Sequence, residues 1–453
     1  MQRLRWLYPG LKVKRWLLLS FLGMIMALSG LVLALNSPKI YELGFNLRLL
    51  IWQAIGLLPS PLAGALAIVA GLFFALLGFH RLVMSVIRAV LPREDQNVME
   101  LLYSRRLLER GPQVVAIGGG TGLSVLLRGL KRYTSNITAI VSVFDDGGSS
   151  GRLRGELGIL PPGDVRNCLV ALAQTETLME DALNYRFHQG SALAGHNLGN
   201  LLLAGLTDIT GGFDRAVQEL SRLLALRGRV LPATLGNGVL VAEMDDGSVV
   251  EGETNIRKTG RSIRRIRLRP DNCRPLPECL AAIQKADLVV LGPGSLYTSV
   301  LPNLVMPEMA EALRQTKAPV YYICNIMTEP GETSLYSVAD HLRAIQRHAG
   351  PVVDGVVVNS KAVSQSLLKK YRQGGSSQVV LDRSEVYRLK VGLFRANLLS
   401  EEEKVIRHHP DRLARFLLSQ LAGPGDNYRL FELLGFYFTK LWRRTSVLSG
   451  WRR

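Results

Sequence analysis

Cysteine is scarce in this chain, which carries only four in 453 residues: Cys168, Cys273, Cys279 and Cys324. None of them forms a CxxC pair and no histidine lies at zinc-finger spacing from them, so the pattern argues against the zinc-finger class. Cys273 and Cys279 are close in sequence, but one near pair only weakly supports a disulfide or a metal site. Reduced, mostly buried thiols are expected, as in a cytosolic protein.

Acidic residues are also in deficit. The 37 Asp and Glu side chains face 55 Lys and Arg, which gives a formal net charge of +18 at pH 7. Such an excess indicates an anionic partner, and lipid headgroups, nucleotide phosphates and nucleic acid all qualify. The basic residues do not alternate with an evident platform of stacking aromatic residues, so no nucleic-acid partner is expected.

Two long runs near the N-terminus are apolar, at about residues 15–35 and 61–79. The second run carries no charged residue, and the first carries none after Arg15. Runs of about 20 apolar residues cross a hydrocarbon core about 30 Å thick. A cleavable signal peptide is one alternative, but the first run is too long for it. Two buried helices of a soluble domain are another, but they would have to hide much lipid-like surface. We predict an N-terminal membrane hairpin within residues 1–95.

Basic residues flank this hairpin on its outer sides: Arg3, Arg5, Lys12, Lys14 and Arg15 before it, and Arg81, Arg88 and Arg93 after it. The loop between the runs carries only Lys39 and Arg48. By the positive-inside rule both ends are cytoplasmic. The expected location is the cytoplasmic membrane, with the main domain in the cytoplasm.

No internal repeat is present, and the texture changes after Pro112 to short β-rich runs that alternate with helical segments. Strands are predicted over 114–117, 137–143, 288–291, 320–324 and 352–358, and helices over 123–133, 166–174 and 307–316. This alternation predicts an α/β fold with a mostly parallel sheet covered by helices on both faces. A β-rich insert is expected at about 230–268.

The C-terminal region, residues 401–453, is predicted to be a basic helical tail. From Pro424 onward it interleaves aromatic residues with arginine and lysine. It is interpreted either as an amphipathic helix on anionic lipid or as a helix that packs on the main domain. A second basic run, 257–274, is either a solvated hairpin face or a surface for an anionic ligand, lipid or protein.

A glycine-rich loop follows the first predicted strand, and its candidate phosphate-binding residues are Gly118, Gly119, Gly120, Thr121 and Gly122. Glycines let main-chain N–H groups approach an anion, and the start of the next helix adds to the attraction. The loop is neither a complete GxGxxG, because Leu123 replaces the third glycine, nor a Walker loop. An ordinary strand-to-helix turn is the alternative interpretation.

Carboxylates follow the second predicted strand. Asp145 and Asp146 are candidates for a ribose hydroxyl or for Mg²⁺, with a solvated Asp-Gly turn as the alternative. The same loop and the next one supply Asp164 and further candidate ligand contacts: Ser149, Ser150, Arg152, Arg166 and Asn167. Arginines suit bidentate phosphate recognition.

Three later loops carry similar chemistry. Asn197 and Asn200 lie on one face of a predicted helix, and His196 is either a cap or a ligand contact. Gly294, Ser295 and Tyr297 follow an apolar strand, with Tyr297 either stacked on a ring or packed in the core. Asn325 follows a fourth strand. We predict that these loops form one rim of a single sheet.

Six ordered motifs resemble one family: IGGGTGLSVLLRGL, DDGGSSGRLR, PPGDVRN, GHNLGN, GPGSLYTS and CNIMTEPGET. Over about residues 112–400 the chain resembles the bacterial gluconeogenesis-factor (YvcK-like) family, which is related to the CofD-like 2-phospho-L-lactate transferases. The resemblance implies a Rossmann-like nucleotide-binding domain and a role in cell morphogenesis during growth on gluconeogenic carbon sources.

The ligand that the resemblance implies is a UDP-sugar, UDP-N-acetylglucosamine or UDP-glucose; another nucleotide such as NAD is also considered, and Mg²⁺ is expected at Asp145 and Asp146. A CofD-like phosphotransferase is the alternative, with Asp145, Asp146 or Asp164 as the catalytic candidate. A membrane scaffold without turnover is a further alternative. The expected partners are the membrane, cell-envelope proteins and a second copy of the chain.

Overall fold

The computed structural model describes residues 13–35, 60–90, 106–174, 177–190 and 193–421. The chain divides into two compact units, residues 1–104 and 105–453. The hairpin loop and the tail from residue 422 onward lie outside the described residues, and so do four of the eight basic residues that flank the hairpin, Arg3, Arg5, Lys12 and Arg93.

Two long apolar helices form the described part of the first unit, α1 (Val13–Leu35) and α2 (Ser60–Val90). Within them Lys14–Leu31 and Leu62–Ser85 are long and apolar enough to cross a membrane. Large apolar side chains face outward along both helices; Phe21 is 57% exposed and Leu76 is 67% exposed. The predicted pair of apolar helices is present, and its insertion in a membrane stays a prediction.

Small residues form the contact between α1 and α2. A Cβ atom added at Gly71 would lie 2.4 Å from the main-chain nitrogen of Ala27, and one at Gly23 would lie 2.4 Å from that of Ala75. The two backbones therefore approach as closely as glycine allows, which is typical of helix pairs in membranes. Ser20 adds a hydrogen bond from Oγ to the Ala75 carbonyl at 3.2 Å.

Twelve strands lie in the described residues of the second unit: β1 (Val114–Gly118), β2 (Ile137–Val141), β3 (Arg229–Pro232), β4 (Val239–Met244), β5 (Val249–Glu251), β6 (Ile263–Arg269), β7 (Leu288–Leu291), β8 (Val320–Ile323), β9 (Gly355–Asn359), β10 (Gly392–Ala396), β11 (Leu399–Ser400) and β12 (Arg407–His408). The helices there are α3 (Gly120–Leu130), α4 (Gly148–Leu157), α5 (Gly163–Leu172), α6 (Thr177–Asn184), α7 (Leu198–Thr210), α8 (Phe213–Leu223), α9 (Glu253–Thr259), α10 (Pro277–Lys285), α11 (Leu301–Leu304), α12 (Pro307–Gln315), α13 (Val338–Ala349), α14 (Gln365–Gln373), α15 (Arg383–Arg388) and α16 (Pro410–Ser419).

A seven-stranded parallel sheet is the centre of this unit, with the order β10-β9-β8-β7-β1-β2-β3. Strands β1, β2 and β7 are buried along their whole length, as expected for parallel strands covered on both faces. Apolar clusters lie on the two faces of the sheet. The predicted Rossmann-like α/β fold is confirmed.

Strand order reverses between β1 and β7. From β1 the chain continues to β2 and β3 on one side, while β7 to β10 lie on the other side. In open α/β sheets this reversal leaves a crevice at the carboxyl ends of the two central strands, where ligands bind. The glycine-rich loop after β1 and the Gly292–Ser295 turn after β7 both lie at this point.

The region predicted as one β-rich insert, residues 230–268, is divided in the structure. β3 is the edge strand of the parallel sheet, paired with β2. Only β4, β5 and β6 form a separate antiparallel sheet, in the order β5-β4-β6. The alternation of apolar and polar residues does not distinguish an edge strand of the parallel sheet from a strand of the separate antiparallel sheet, because β3 also has one partly exposed side.

The sheet domain extends beyond residue 400, where the sequence analysis ended it. Leu413, Ala414 and Leu417 of α16 belong to the same buried cluster as α3. Gly129 of α3 lies so close to α16 that an added Cβ would be 2.1 Å from the Pro410 carbonyl oxygen. The first part of the predicted tail therefore packs on the domain.

The packing of α16 on α3 predicts opposite effects for two glycine substitutions. Gly129→Ala should lower the free energy of unfolding by about 1–3 kcal/mol, because α16 must move away. Gly155→Ala in α4 should raise it by about 0.5–1 kcal/mol, because nothing lies within 4 Å of the added Cβ. Urea unfolding of the sheet domain measures both, and equal effects of the two substitutions would contradict the packing.

Candidate functional site

A cavity of about 510 Å³ opens at the carboxyl edge of the parallel sheet, where the strand order reverses. Loops after β1, β2, β7 and β8 contribute to its wall, so the predicted common rim is a single hollow. Its lining residues are Gly119, Gly120, Thr121, Gly122, Val125, Asp145, Asp164, Asn167, Glu253, Arg257, Pro293, Gly294, Ser295, Ser299, Asn325, Ile326, Met327, Thr328, Glu329, Pro330, Tyr371, Ser376, Ile406, Arg407 and His408. Its volume is in the range of small-molecule sites.

The glycine-rich loop brings main chain against a carboxylate. A Cβ atom at Gly119 would lie 2.5 Å from Oδ2 of Asp164, so no other residue fits there without a shift. Gly120 has φ +66°, a conformation that favours glycine. The Gly120 N–H donates to Asp164. α3 starts at this loop without a side-chain cap, so its first N–H groups point toward the cavity end of the sheet.

Asp145 and Asp164 are the two aspartates of the cavity wall. The pKa of Asp164 is raised to about 6, mainly by burial and also by the nearby charge of Asp145, while the hydrogen bond from the Gly120 N–H opposes the shift. Oδ1 of Asp145 accepts a hydrogen bond from the Gly147 N–H at 2.8 Å. These two carboxyl groups come from the ends of different elements, the loop after β2 and the start of α5.

The separate antiparallel sheet also contributes to the cavity, through α9. Arg257 donates from Nε to Glu332 Oε1 at 2.7 Å and lies 3.3 Å from Glu253 Oε1. Its Nη2 donates to Ser295 Oγ at 3.0 Å. Burial raises the pKa of Glu253 to about 8, although Arg257 opposes the shift. Arg257 thus ties the insert to the loops after β7 and β8.

Another part of the cavity wall is more apolar and contains an aromatic ring. Ile326, Tyr371 and Ile406 line it, and the Tyr371 hydroxyl accepts from the Ile406 N–H at 3.1 Å. Arg407 and His408 of β12 also line the cavity. Burial lowers the pKa of His408 to about 4, so its imidazole is neutral at pH 7. The cavity wall therefore combines glycines and carboxylates with an aromatic ring and a cation.

Ten of the residues predicted from sequence line the cavity: Gly119, Gly120, Thr121, Gly122, Asp145, Asp164, Asn167, Gly294, Ser295 and Asn325. Gly118 lies next to them as the last residue of β1. These residues come from five separate stretches of the chain, which the parallel sheet brings to one edge.

Asp146 does not line the cavity with Asp145. Its Oδ1 accepts from the Thr254 N–H at 2.8 Å and from the Thr254 hydroxyl at 2.6 Å. Both aspartates lie in the loop after β2, where their side chains take different directions, and Asp146 holds the first turn of α9 instead. The carboxylate that accompanies Asp145 in the cavity is Asp164.

Tyr297 is also outside the cavity. It is fully buried, and its hydroxyl lies 2.8 Å from the Tyr336 hydroxyl and 3.1 Å from the Ile263 carbonyl oxygen. The turn Leu296–Val300 that follows β7 is a π-helical turn and directs the ring into the core. Of the two interpretations of Tyr297, core packing is the one found.

The remaining predicted residues form a polar network behind the cavity wall. Ser149 Oγ accepts from the Asn200 amide at 3.2 Å and lies 3.1 Å from His196 Nδ1. Asn197 caps α7, and its side chain accepts from the N–H groups of the first turn. The other members are held by the protein itself: Ser150 by the Gly163 N–H, Arg152 by the Ala194 carbonyl, and Arg166 by Leu183, Asn184 and Asn167.

The carboxylates of the cavity wall are too few to hold a metal ion without oxygens from a ligand. No group of three or more His, Cys, Asp and Glu side chains could hold a metal among the residues that the structure describes. Magnesium commonly takes one or two carboxylates and completes its shell with phosphate oxygens and water. Asp145 and Asp164 fit Mg²⁺ only when a phosphate ligand supplies the other oxygens.

Sequence reasoning missed several lining residues. Glu253 and Arg257 lie in the insert, more than 100 residues from the glycine-rich loop, and Arg257 was interpreted only as part of a basic run. Tyr371 and Arg407 follow no strand-to-loop motif. Tyr371 and Arg407 could have been predicted only from the positions of α14 and β12 over the sheet edge, which no sequence motif indicates.

The fold and the cavity define a Rossmann-like α/β protein with a ligand-sized hollow at the switch point of its sheet. A family model described as 2-phospho-L-lactate transferase CofD matches residues 114–399. The gluconeogenesis factor of Bacillus subtilis is 48% identical over 311 residues, which cover 68% of this chain and 98% of the relative. A protein of Nostoc sp., provisionally named gluconeogenesis factor, is 47% identical over 425 residues, 93% of each chain.

A crystal structure of a Bacillus halodurans protein has a TM-score of 0.67 to this chain at 50% identity. It covers 68% of this chain and 100% of its own, so in that relative the sheet domain is a complete folded protein. This chain belongs to the gluconeogenesis-factor family, within the family of CofD proteins.

Glu253→Gln is expected to remove a pH dependence of stability. The pKa of Glu253 is raised to about 8, so the folded state keeps a proton that the unfolded state loses near its ordinary pKa of about 4.3. This contribution to stability is present at low pH and is lost as pH rises toward 8. The variant should therefore exceed wild type in Tm most at pH 9 and least at pH 5.

The matched control is Glu219→Gln, which removes a more exposed glutamate of α8 paired with Arg222. Its effect on Tm should be small at both pH values, because exposed pairs contribute little. A gain from Glu253→Gln of the same size at pH 5 and pH 9 would contradict the burial of an ionising carboxyl group at this position.

Proposed function

We propose that this protein binds a nucleoside-diphosphate sugar in the cavity at the sheet edge, UDP-N-acetylglucosamine or UDP-glucose. In this proposal it acts as a membrane-attached regulator of cell morphogenesis during growth on gluconeogenic carbon sources. The observation that carries the proposal is one hollow whose wall combines a glycine-rich helix start with an aromatic ring and a cation.

The glycine end suits a diphosphate. Main-chain N–H groups at the start of a helix attract anions, and the space beside Gly120 is open, with the Ser299 hydroxyl 3.6 Å from the position of an added Cβ. Asp145 and Asp164 would repel a bare diphosphate, so binding there favours Mg²⁺ between carboxylate and phosphate oxygens. Magnesium would neutralise the phosphate charge when bound.

The apolar part of the wall suits a base or a sugar. Tyr371 offers a ring for stacking, and Ile326 and Ile406 offer apolar contact. Arg407 is exposed on this side and can pair with a phosphate oxygen or a sugar hydroxyl. A cavity of about 510 Å³ is large enough for a ligand of this class.

The membrane part of the proposal is supported by α1 and α2. Their outward side chains are mostly apolar, and their contact uses glycines, as in membrane helix pairs. With basic residues on both outer flanks, the sheet domain would lie on the cytoplasmic side, near precursors of envelope synthesis.

A CofD-like phosphotransferase is the second candidate, because Asp164 lines the cavity with a pKa near physiological pH. A carboxylate with a raised pKa can accept a proton from an attacking hydroxyl. If this candidate holds, GDP with Mg²⁺ should stabilise the protein more than UDP-sugars do, and Asp164→Asn should abolish the Mg²⁺-dependent part. Thermal shift with each nucleotide, with and without Mg²⁺, measures this.

The nucleotide-sugar proposal predicts that Arg407→Ala weakens UDP-N-acetylglucosamine binding about tenfold, the loss expected when one charged hydrogen bond is removed. Arg388→Ala is the matched control, because Arg388 is exposed and pairs with Glu385 away from the cavity lining. Calorimetric titration of residues 106–421 with UDP-N-acetylglucosamine, UDP-glucose and NAD measures the affinities. Absence of binding by wild type, or equal loss in both variants, would reject the proposal.

A further inference from the structure

The indole ring of Trp16 in α1 has two arginine side chains close to it. The guanidinium carbon of Arg15 lies 4.9 Å from the centroid of the ring, and that of Arg81 in α2 lies 5.5 Å from the same centroid. Both distances are typical of cation–π contacts. One aromatic ring therefore brings together two cations that come from two different helices.

The close contact between the two helix backbones fixes this arrangement. A Cβ atom added at Gly78 would lie 2.9 Å from the main-chain carbonyl oxygen of Trp16 and 2.5 Å from the main-chain nitrogen of Ser20. Arg81 lies about one turn farther along α2 than Gly78, which brings its side chain to the Trp16 ring. Lys14, which is exposed, adds a third cation at the start of α1.

These cations have no carboxylate partner within the helix pair, because the described helices α1 and α2 contain neither aspartate nor glutamate. Arg81 lies inside the apolar stretch Leu62–Ser85, and Lys14 and Arg15 begin the stretch Lys14–Leu31. A charge at such a position in a bilayer is costly unless it reaches an anion or water. The charge of this cluster is therefore left for an anion from outside the helix pair.

The surface next to the cations suits a lipid better than a free anion. Leu18 and Leu22 lie within about 60° of Arg15 around α1, one and two turns farther along the helix, and both are exposed. Phe74 lies two turns before Arg81 and within about 20° of it around α2, and it is exposed too. An acyl chain can lie on these side chains while its phosphate contacts the guanidinium groups.

We propose that Arg15, Trp16 and Arg81, together with Lys14, bind the phosphate of an anionic phospholipid such as phosphatidylglycerol. This proposal rests on the membrane attachment proposed above. Guanidinium groups donate paired hydrogen bonds to phosphate oxygens, and tryptophan favours the level of the headgroups. Phosphatidylcholine fits less well, because its choline group balances the phosphate charge and is repelled by the arginines.

Two measurements on the full chain separate this lipid site from membrane attachment itself. Flotation with phosphatidylcholine vesicles tests attachment, which the apolar helices alone should provide. Native mass spectrometry in a non-ionic detergent compares the binding of phosphatidylglycerol with that of phosphatidylcholine. Wild type should bind phosphatidylglycerol at least about tenfold more tightly, because each basic residue near an anionic lipid contributes roughly fivefold.

The double variant Arg15→Gln with Arg81→Gln should lower the preference for phosphatidylglycerol to about twofold or less, and it should still float with phosphatidylcholine vesicles. Lys39→Gln with Arg48→Gln is the matched control, because it removes the same charge from the loop between the two apolar runs. The control should keep the preference of wild type. Glycerol phosphate, which carries the headgroup chemistry without acyl chains, should not displace the bound lipid.

Three results would overturn the lipid site while leaving membrane attachment in place. They are a wild type that floats but does not prefer phosphatidylglycerol, an equal loss of the preference in both double variants, and displacement of the lipid by glycerol phosphate. A wild type that fails to float with vesicles of either lipid would reject the membrane attachment, and the lipid site with it.

Discussion

The arrangement at the sheet edge depends on the contact between the Asp164 carboxylate and the main chain at Gly119 and Gly120. A carboxylate this close to a glycine-rich loop fixes where α3 and α5 begin relative to each other. It also places a group with a raised pKa beside the N–H groups that attract an anion. Any side chain at residue 119 would separate the two elements and open the cavity wall.

This contact explains why the cavity is both anion-attracting and acidic. The helix start favours negative charge, while Asp145 and Asp164 oppose it. Such a site would discriminate against simple anions, and the phosphate ligand that we propose would bind there together with a divalent cation. Arg257 is a second cation in this wall, but its charge is already paired with the carboxylate of Glu332. It is therefore less free to bind a ligand than Arg407.

Much of this architecture could be predicted from the sequence. Short β-branched apolar runs such as 114–117 and 288–291, each followed by glycine, favour buried strands, and those glycines mark the sheet edge. Side-chain direction could not be predicted, because Asp145 and Asp146 are adjacent and only the fold decides which one faces the cavity. The roles of Ser149 and Asn200 could not be predicted either, because the same residue types occur in buried polar networks and in ligand contacts. The place of Arg407 in the cavity wall could not be predicted, because β12 is distant in sequence from the other elements that line the cavity.

A crystal structure of residues 106–421 with UDP-N-acetylglucosamine and Mg²⁺ tests the central claim most directly. We predict that the diphosphate lies against the main chain of Gly119–Gly122, with the metal ion between it and Asp145 and Asp164, and the uracil or the sugar next to Tyr371. A ligand bound outside this cavity, or a diphosphate that contacts neither the glycine-rich loop nor these carboxylates, would contradict the account.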